Sequence, residues 1–131
     1  MLIEVTNVRQ INGEPRRRWF TNEYFDLYVW LDEGDDIVGF QLCYEKLANE
    51  RSLTWMKKSG YTHDRIDEGD KPGRLKGTPI VVKNGHFDHE KIANIFNKES
   101  REIEDRISRF VYEKILKYPS DIMVSTKAEQ R

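Results

Sequence analysis

The sequence predicts an α+β fold, in which an antiparallel β-meander of five to seven strands is followed by two C-terminal helices packed on one face of the sheet. Three observations favour it: short extended segments between turn residues fill the first two thirds of the chain, helical periodicity is confined to the last third, and strands do not alternate with helices. We expect residues 1-119 to form a single domain and residues 120-131 to form a flexible tail.

Composition excludes several classes of protein. The 131 residues carry a net charge of -1 and 34% of them are charged, while Leu, Ile, Val and Phe make up about a quarter, enough to form a core. No apolar run approaches the roughly 18 residues of a membrane helix, and the N-terminus lacks the pattern of a signal peptide. Because Cys43 is the single cysteine, an intramolecular disulfide is excluded and a cytoplasmic location is predicted.

The first predicted hairpin turns at Asn12-Gly13, the pair that type I′ turns prefer. A two-residue loop at this point sets Val5 opposite Phe20 and Arg9 opposite Arg16, because the loop length determines the register of the two strands. That register also predicts a cluster of arginines on one face of the hairpin, formed by Arg9, Arg16 and Arg18.

A second hairpin is predicted with Gly34-Asp35 as the two-residue loop of a type II′ turn. Its register pairs Trp30 with Gly39, and alternate side chains then lie on two different faces. The predicted core face comprises Phe25, Leu27, Val29, Leu31, Val38, Phe40, Leu42 and Tyr44. The opposite face, which we call the aromatic-polar face, comprises Asp26, Tyr28, Trp30, Gly39, Gln41 and Cys43, and Arg17 and Trp19 of the first hairpin could join it.

A third hairpin is predicted around Ser59-Gly60, between the segments Ser52–Lys58 and Tyr61–Asp67, and one more strand over Leu75–Lys83. The third hairpin sets His63 on the same face as Thr54 and Met56.

Two helices are predicted after the strands. Asp88 is the predicted N-cap of a short helix to Asn97. A longer helix, capped by Ser100 or Asn97, is predicted to run to about Tyr118 and to be stopped by Pro119. Its apolar residues recur at helical spacing and form one stripe: Ile103, Ile107, Phe110, Val111 and Ile115.

The candidate ligand-binding residues are those of the aromatic-polar face together with the arginine cluster. Aromatic walls with a few polar groups are common to small-molecule pockets and protein interfaces, and guanidinium groups suit phosphate or carboxylate. The hypothesis names Trp19, Tyr28, Trp30, Gln41, Arg9, Arg16 and Arg18. Two structural alternatives stay open: the arginines could be neutralised by some of the 23 acidic residues, and the aromatic face could be a second core layer or an oligomer contact.

Other kinds of chemistry have weak support in the sequence. The residues around His86 and His89 do not supply the three or four converging ligands of a zinc site, and neither phosphate-binding glycine loops nor calcium loops are present. Cys43 and His63 could form a nucleophile and its base, but a lone strand cysteine is typically a small buried apolar residue. We therefore predict no cofactor and no metal, and the sequence identifies no catalytic residue.

The sequence favours a non-enzymatic domain that binds an unknown protein or a small anionic ligand. One alternative is a small enzyme that acts on an anionic substrate, with His63 or Asp26 as acid or base. Another is binding of single-stranded nucleic acid, although the nearly neutral charge balance disfavours nucleic-acid partners. No membrane partner is expected, and homo-oligomer formation stays open.

Four segments of the chain resemble those of a group of small bacterial proteins that carry no assigned activity. The segments are Arg16-Arg17-Arg18-Trp19-Phe20, Phe25–Trp30, Gly39–Tyr44 and Leu53-Thr54-Trp55. The resemblance implies a bacterial cytoplasmic protein and implies no activity, so it assigns no functional residue.

Overall fold

The computed structural model describes residues 1–47, 50–65 and 87–129, which fall into two compact units. The unit Leu2–His86 contains a six-stranded antiparallel sheet in which each strand pairs with the next along the chain. Its strands are β1 (Ile3–Val5), β2 (Arg16–Thr21), β3 (Phe25–Leu31), β4 (Ile37–Tyr44), β5 (Arg51–Met56) and β6 (Gly60–Arg65). The second unit, Phe87–Arg131 with Met1, contains helices α1 (His89–Glu99) and α2 (Asp105–Glu129).

The predicted meander followed by two helices is therefore confirmed. The strand predicted over Leu75–Lys83 lies outside the described residues, and the packing of the helices on one sheet face stays a prediction. Neither helix has, over its described residues, the length and apolar character needed to cross a membrane.

The β3–β4 hairpin has the predicted register along most of its length, from Phe25 opposite Tyr44 to Trp30 opposite Gly39. Its core face is buried: six of its side chains have no exposed surface and Tyr44 is only 2% exposed. The six are Phe25, Leu27, Val29, Leu31, Phe40 and Leu42. Alternation of apolar side chains along two neighbouring strands thus predicted the core of the sheet correctly.

The tip of this hairpin differs from the predicted two-residue type II′ turn. The loop has three residues, because the N–H of Asp35 donates to the Asp32 carbonyl at 2.9 Å and the Asp32 N–H donates to the Asp36 carbonyl at 2.9 Å. Asp35 has a positive φ, of 70°, whereas a type II′ turn would have required a positive φ at Gly34. A bulge follows, so that Ile37, rather than the predicted Val38, pairs with Leu31 and is buried.

The predicted register of the first hairpin is wrong by one residue: Val5 lies opposite Trp19, and Glu4 lies opposite Phe20. A turn does form at Asn12-Gly13, where the Glu14 N–H donates to the Ile11 carbonyl at 3.1 Å. However, of the two central residues of this turn only Gly13 has a positive φ, of 87°. This is the pattern of a type II turn, which splays the flanking strands instead of pairing them. Residues 6–15 therefore form a loop.

The third hairpin also differs from its predicted register. Met56 pairs with Gly60, whose φ is 83°, and the turn lies over Lys57–Ser59. This pairing sets His63 opposite Leu53 on the core face, rather than on the face of Thr54 and Met56. The presence of a glycine indicates a turn, but it does not indicate which position of the turn the glycine occupies, so it did not determine where this turn begins.

Helix α1 begins as predicted, because the Asp88 carboxylate accepts a hydrogen bond from the Lys91 N–H at 3.2 Å. Ser100 is not the N-cap of the second helix as predicted: it ends α1, where its N–H donates to the Phe96 carbonyl at 2.9 Å. α2 begins at Asp105, and the buried residues of its predicted stripe are Ile107, Val111 and Ile115.

The predicted end of the second helix at Tyr118 is wrong, since α2 continues through Pro119 to Glu129. Proline lacks one N–H donor and crowds the carbonyl four residues earlier, so it weakens a helix locally without always ending it. Residues 120–129, which we predicted as part of a tail, are helical.

A candidate ligand-binding pocket on the sheet

The register of the sheet arranges the aromatic-polar face in rows that run across the strands. One row passes through Val5, Trp19, Tyr28, Gln41 and Thr54, and the next passes through Thr21, Asp26, Cys43 and Ser52. Side chains that lie directly opposite each other on antiparallel strands are close enough to interact. The first row therefore brings together three of the predicted site residues, Trp19, Tyr28 and Gln41.

Trp19 and Tyr28 form the centre of this face. Their rings stack with centroids 5.7 Å apart and planes inclined by 14°. The indole Nε1–H of Trp19 donates to the Asp26 carboxylate at 3.1 Å, so the ring is held along its polar edge as well as on its face. Trp19 is thus a rigid wall.

Asp26 is the polar centre that holds this wall in place. Its side chain accepts a second hydrogen bond from the Thr21 hydroxyl at 2.7 Å and forms an ion pair with Lys46 at 3.2 Å. Lys46 also donates to the Asn22 carbonyl at 2.9 Å. The carboxylate of Asp26 is buried and its oxygens are engaged, which suits a positioning group better than the acid or base of the enzyme alternative.

A pocket of about 250 Å³ opens beside Trp19 and Tyr28. Its other lining residues are Val5, Asn7, Val8, Arg9 and Arg17. The pocket lining therefore combines two aromatic residues, two valines and two arginines, and no acidic residue is among these described lining residues.

The loop of residues 6–15 brings Arg9 to the pocket. The side-chain amide of Gln10 bonds to both backbone polar groups of Arg17, donating to the carbonyl and accepting from the N–H, each at 2.9 Å. The Arg17 Nε–H then donates to the Arg9 carbonyl at 3.0 Å. Gln10 thus replaces the strand that the predicted hairpin would have paired with β2 at this position.

The predicted cluster of Arg9, Arg16 and Arg18 does not form. Arg16 and Arg18 lie opposite Leu31 and Val29, on the side of β2 away from Trp19, because side chains alternate along a strand. Arg16 pairs with Asp35 at 2.7 Å, and Arg18 bonds to both oxygens of Glu4, each at 2.8 Å. Neutralisation by acidic residues, the structural alternative considered above, applies to these two arginines.

Arg17 is the lining arginine that the sequence hypothesis did not include among its binding residues. Its alternation with Trp19 on β2 was the available signal, because both face the side of Tyr28. No comparable pattern pointed to Val5, Asn7 and Val8, because their positions in the pocket lining depend on the loop of residues 6–15 and on the observed register of β1.

Trp30 lies on the same face but does not line this pocket. Its cross-strand neighbour is Gly39, and the side chain that lies closest above Gly39 is the thioether of Met56. A methyl group at Gly39 would overlap the Met56 sulfur and would approach the Trp55 carbonyl to 3.0 Å.

We expect Gly39→Ala to lower the free energy of unfolding by about 1–3 kcal/mol, the usual cost of overpacking. Met56 is flexible and can move, but the Trp55 carbonyl belongs to the backbone of β5. Urea denaturation measures the change, and Gly34→Ala, at a site with only ordinary contacts, is the control. Equal stability of Gly39→Ala and the wild type would contradict this packing.

Gln41 and Glu50 extend the polar part of the face. The side-chain N–H of Gln41 donates to the Thr54 hydroxyl at 3.4 Å. The side-chain oxygen of Gln41 and one carboxyl oxygen of Glu50 are buried and have no hydrogen-bond partner among the described residues. Burial and the nearby Asp26 raise the pKa of Glu50, while Lys46 opposes this. Burial is also the main reason that the pKa of Tyr28 rises to about 12, so its hydroxyl stays protonated.

The two candidate groups for nucleophilic catalysis do not come together. Cys43 lies on the aromatic-polar face, and burial raises the pKa of its thiol, so the reactive thiolate is disfavoured. His63 lies on the core face, where its Nε2 is 2.6 Å from the Tyr44 hydroxyl, and burial followed by the Arg51 charge lowers its pKa to about 4. The sheet separates the thiol from the imidazole.

Comparison with protein-family models, with curated proteins and with solved structures found no match to this chain. The resemblance of the four segments to a group of small bacterial proteins stays a prediction. The site is therefore interpreted from its own geometry.

Proposed function

We propose that this protein is a non-enzymatic binding domain that holds a small anionic ligand in the pocket beside Trp19 and Tyr28. The observation that carries the proposal is the pairing of two arginines, Arg9 and Arg17, with a rigid aromatic wall in one pocket. Such pockets bind ligands through apolar contact and a few oriented polar groups.

The two guanidinium groups are available for a ligand. Within the described residues, the side chain of Arg9 makes no hydrogen bond or ion pair, and Arg17 uses only its Nε–H, on the Arg9 carbonyl. Hydrogen bonds from guanidinium to a carboxylate or phosphate are charge-assisted and about twice as strong as neutral ones. The anionic group of a ligand thus has two partners, and its apolar part has the rings and the valines.

A second, larger recess of about 790 Å³ is formed by the loop of residues 6–15 and the turns of the β3–β4 and β5–β6 hairpins, and it is less suited to an anion. Its lining includes Arg16 and Lys58 but also Glu14, Asp32, Glu33 and Asp35. Since Arg16 is already paired with Asp35, one ammonium group and three carboxylates remain, and this negative excess opposes an anion.

The alternatives of an enzyme and of a nucleic-acid binder receive less support from the same face. Cys43 and His63 lie on opposite sides of the sheet, and Asp26 is engaged by Trp19, Thr21 and Lys46. A nucleic-acid strand that crossed the face beyond the pocket would meet the carboxyl groups of Glu50 and Asp64, which oppose a polyanion.

We test the proposal by titrating the protein with acetate, inorganic phosphate and benzoate and following the Trp19 indole N–H signal by NMR. At least one anion is expected to shift this signal saturably, and Arg17→Gln should weaken its binding about 10- to 100-fold, the effect of losing a charge-assisted hydrogen bond. Arg16→Gln is the matched control, because Arg16 is on the same strand but outside the pocket.

The absence of any saturable shift up to about 50 mM of each anion would overturn the proposal, since that limit corresponds to negligible affinity. Equal losses in Arg17→Gln and Arg16→Gln would also overturn it, because they would point to net charge rather than to this pocket.

As part of this proposal, we assign the protein to a reducing cytoplasm. Cys43, the single cysteine, is a free buried thiol, which is typical of proteins that need no disulfide. Cell fractionation tests this assignment, and recovery of the protein mainly from a periplasmic or secreted fraction would contradict it.

A further inference from the structure

We propose that the ligand of this pocket is a small planar aromatic carboxylate, with its carboxylate on Arg9 and Arg17 and its ring against Trp19 and Tyr28. The inference rests on the proposed function and names the ligand class for the same site. Four properties of the pocket carry it: size, flat aromatic wall, second apolar wall and charge.

The volume of the pocket matches a ligand portion of about one ring. A volume of about 250 Å³ corresponds to roughly eight water molecules at their volume in the liquid. Pockets for drug-sized ligands start at about 300 Å³, so a nucleotide with base, sugar and phosphate exceeds this space. A six-membered ring that carries one carboxylate fits within it.

The walls favour a flat apolar body. Trp19 and Tyr28 are nearly parallel, and the hydrogen bond from Trp19 to Asp26 holds the indole in place before any ligand binds. A ligand ring packed on either residue continues the aromatic stack, and little side-chain freedom is lost on binding. Val5 and Val8 supply the remaining apolar surface of the pocket.

The charged part of the pocket favours a carboxylate attached to that ring. The planar guanidinium group matches a planar carboxylate in a two-point hydrogen bond. Free phosphate would also meet the two arginines, but it has no apolar part to contact Val5, Val8 and the rings. The Tyr28 hydroxyl, whose pKa is raised to about 12, stays neutral and so does not repel an anion.

Four matched probes test the ligand class on the unmodified protein: benzoate, cyclohexanecarboxylate, benzamide and inorganic phosphate. Benzoate is expected to bind about 3- to 10-fold more tightly than cyclohexanecarboxylate, which has the same charge but no flat ring. It should bind at least about 10-fold more tightly than benzamide, which has the ring without the charge, and than phosphate, which has the charge without the ring.

Two variants locate the preference for a flat ring. Trp19→Leu should reduce the ratio of benzoate to cyclohexanecarboxylate affinity to about one, because the aromatic wall is lost. Trp30→Leu is the control, since Trp30 is on the same face but outside the pocket, and it should retain the ratio. The comparison of probes on the wild type decides the question even if Trp19→Leu fails to fold.

The outcomes separate this inference from the proposed function. If acetate or phosphate binds in an Arg17-dependent manner and benzoate binds no more tightly, the inference is overturned and the proposed function stands. If none of the anions binds saturably, both are overturned. If benzoate binds equally to wild type and to Arg17→Gln, its binding is not at this pocket and the inference is again overturned.

Discussion

Replacing Phe40 by alanine is expected to lower the free energy of unfolding by about 3–5 kcal/mol, the usual cost of removing a buried aromatic side chain. Phe40 has no exposed surface and lies on β4 between Val29 and Trp55 of the neighbouring strands. Its ring stacks on that of Trp55, with centroids 6.3 Å apart. Because a domain of this size is stabilised by about 5–15 kcal/mol, the loss would be a large part of the total.

Trp30→Ala provides the matched comparison for Phe40→Ala. Trp30 has a larger side chain than Phe40 and follows Val29, the cross-strand partner of Phe40, on β3. It lies on the opposite face of the sheet, however, and is only half-buried there. We expect its truncation to cost less than half as much, measured by urea denaturation with unchanged m values. Equal losses in the two variants would show that both faces of the sheet contribute equally to the core, and would refute the separation of core and binding face.

The wild-type protein is expected to lose about 3 kcal/mol of stability as the pH falls from about 6.5 to about 4, owing to His63 alone. In the folded protein, burial and the Arg51 charge lower the His63 pKa from 6.5 to about 4. The unfolded chain therefore binds a proton in this interval that the folded protein does not, and protonation favours unfolding. The contribution is complete above pH 6.5 and is lost below about pH 4.

His63→Gln isolates this effect from the titration of other groups. Glutamine can still hydrogen-bond to the Tyr44 hydroxyl, which is 2.6 Å from the His63 Nε2, but it does not titrate. The stability of the wild type relative to this variant should therefore fall by about 3 kcal/mol between pH 7 and pH 4. A difference between wild type and His63→Gln that is independent of pH would mean that His63 is not buried in its neutral form.

The parts of the fold that depend on local patterns were predictable. Apolar side chains alternate along 25–31 and 37–44, and this alternation identified the strands, their register and the core face. The carboxylate of Asp88 before a helical repeat identified the start of α1. Trp19, Tyr28 and Gln41 were predicted to share a face for the same reason, because period-two alternation is a property of the chain itself.

The pocket could not be predicted in full, because its arginines depend on one turn. Asn12-Gly13 occurs in type I′ and type II turns, and these two turns send the preceding chain in different directions. The structure has the second type, which frees residues 6–15 to form a loop and brings Arg9 beside Arg17 instead of Arg16. The positive φ of Asp35 and the start of the turn before Gly60 were also not predicted, because the residues of these two turns are compatible with more than one turn type.

The sequence by itself determined the meander, the two helices and most of the side chains on each face of the β3–β4 hairpin, because all three follow from spacing along the chain. Tertiary structure decided which arginines are neutralised and which remain available, through the partners that Asp35 and Glu4 provide for Arg16 and Arg18. It also decided that Asp26 holds Trp19, with Lys46 compensating its charge. Such partners come from separate segments of the chain, and their meeting depends on turn geometry and register rather than on any local pattern.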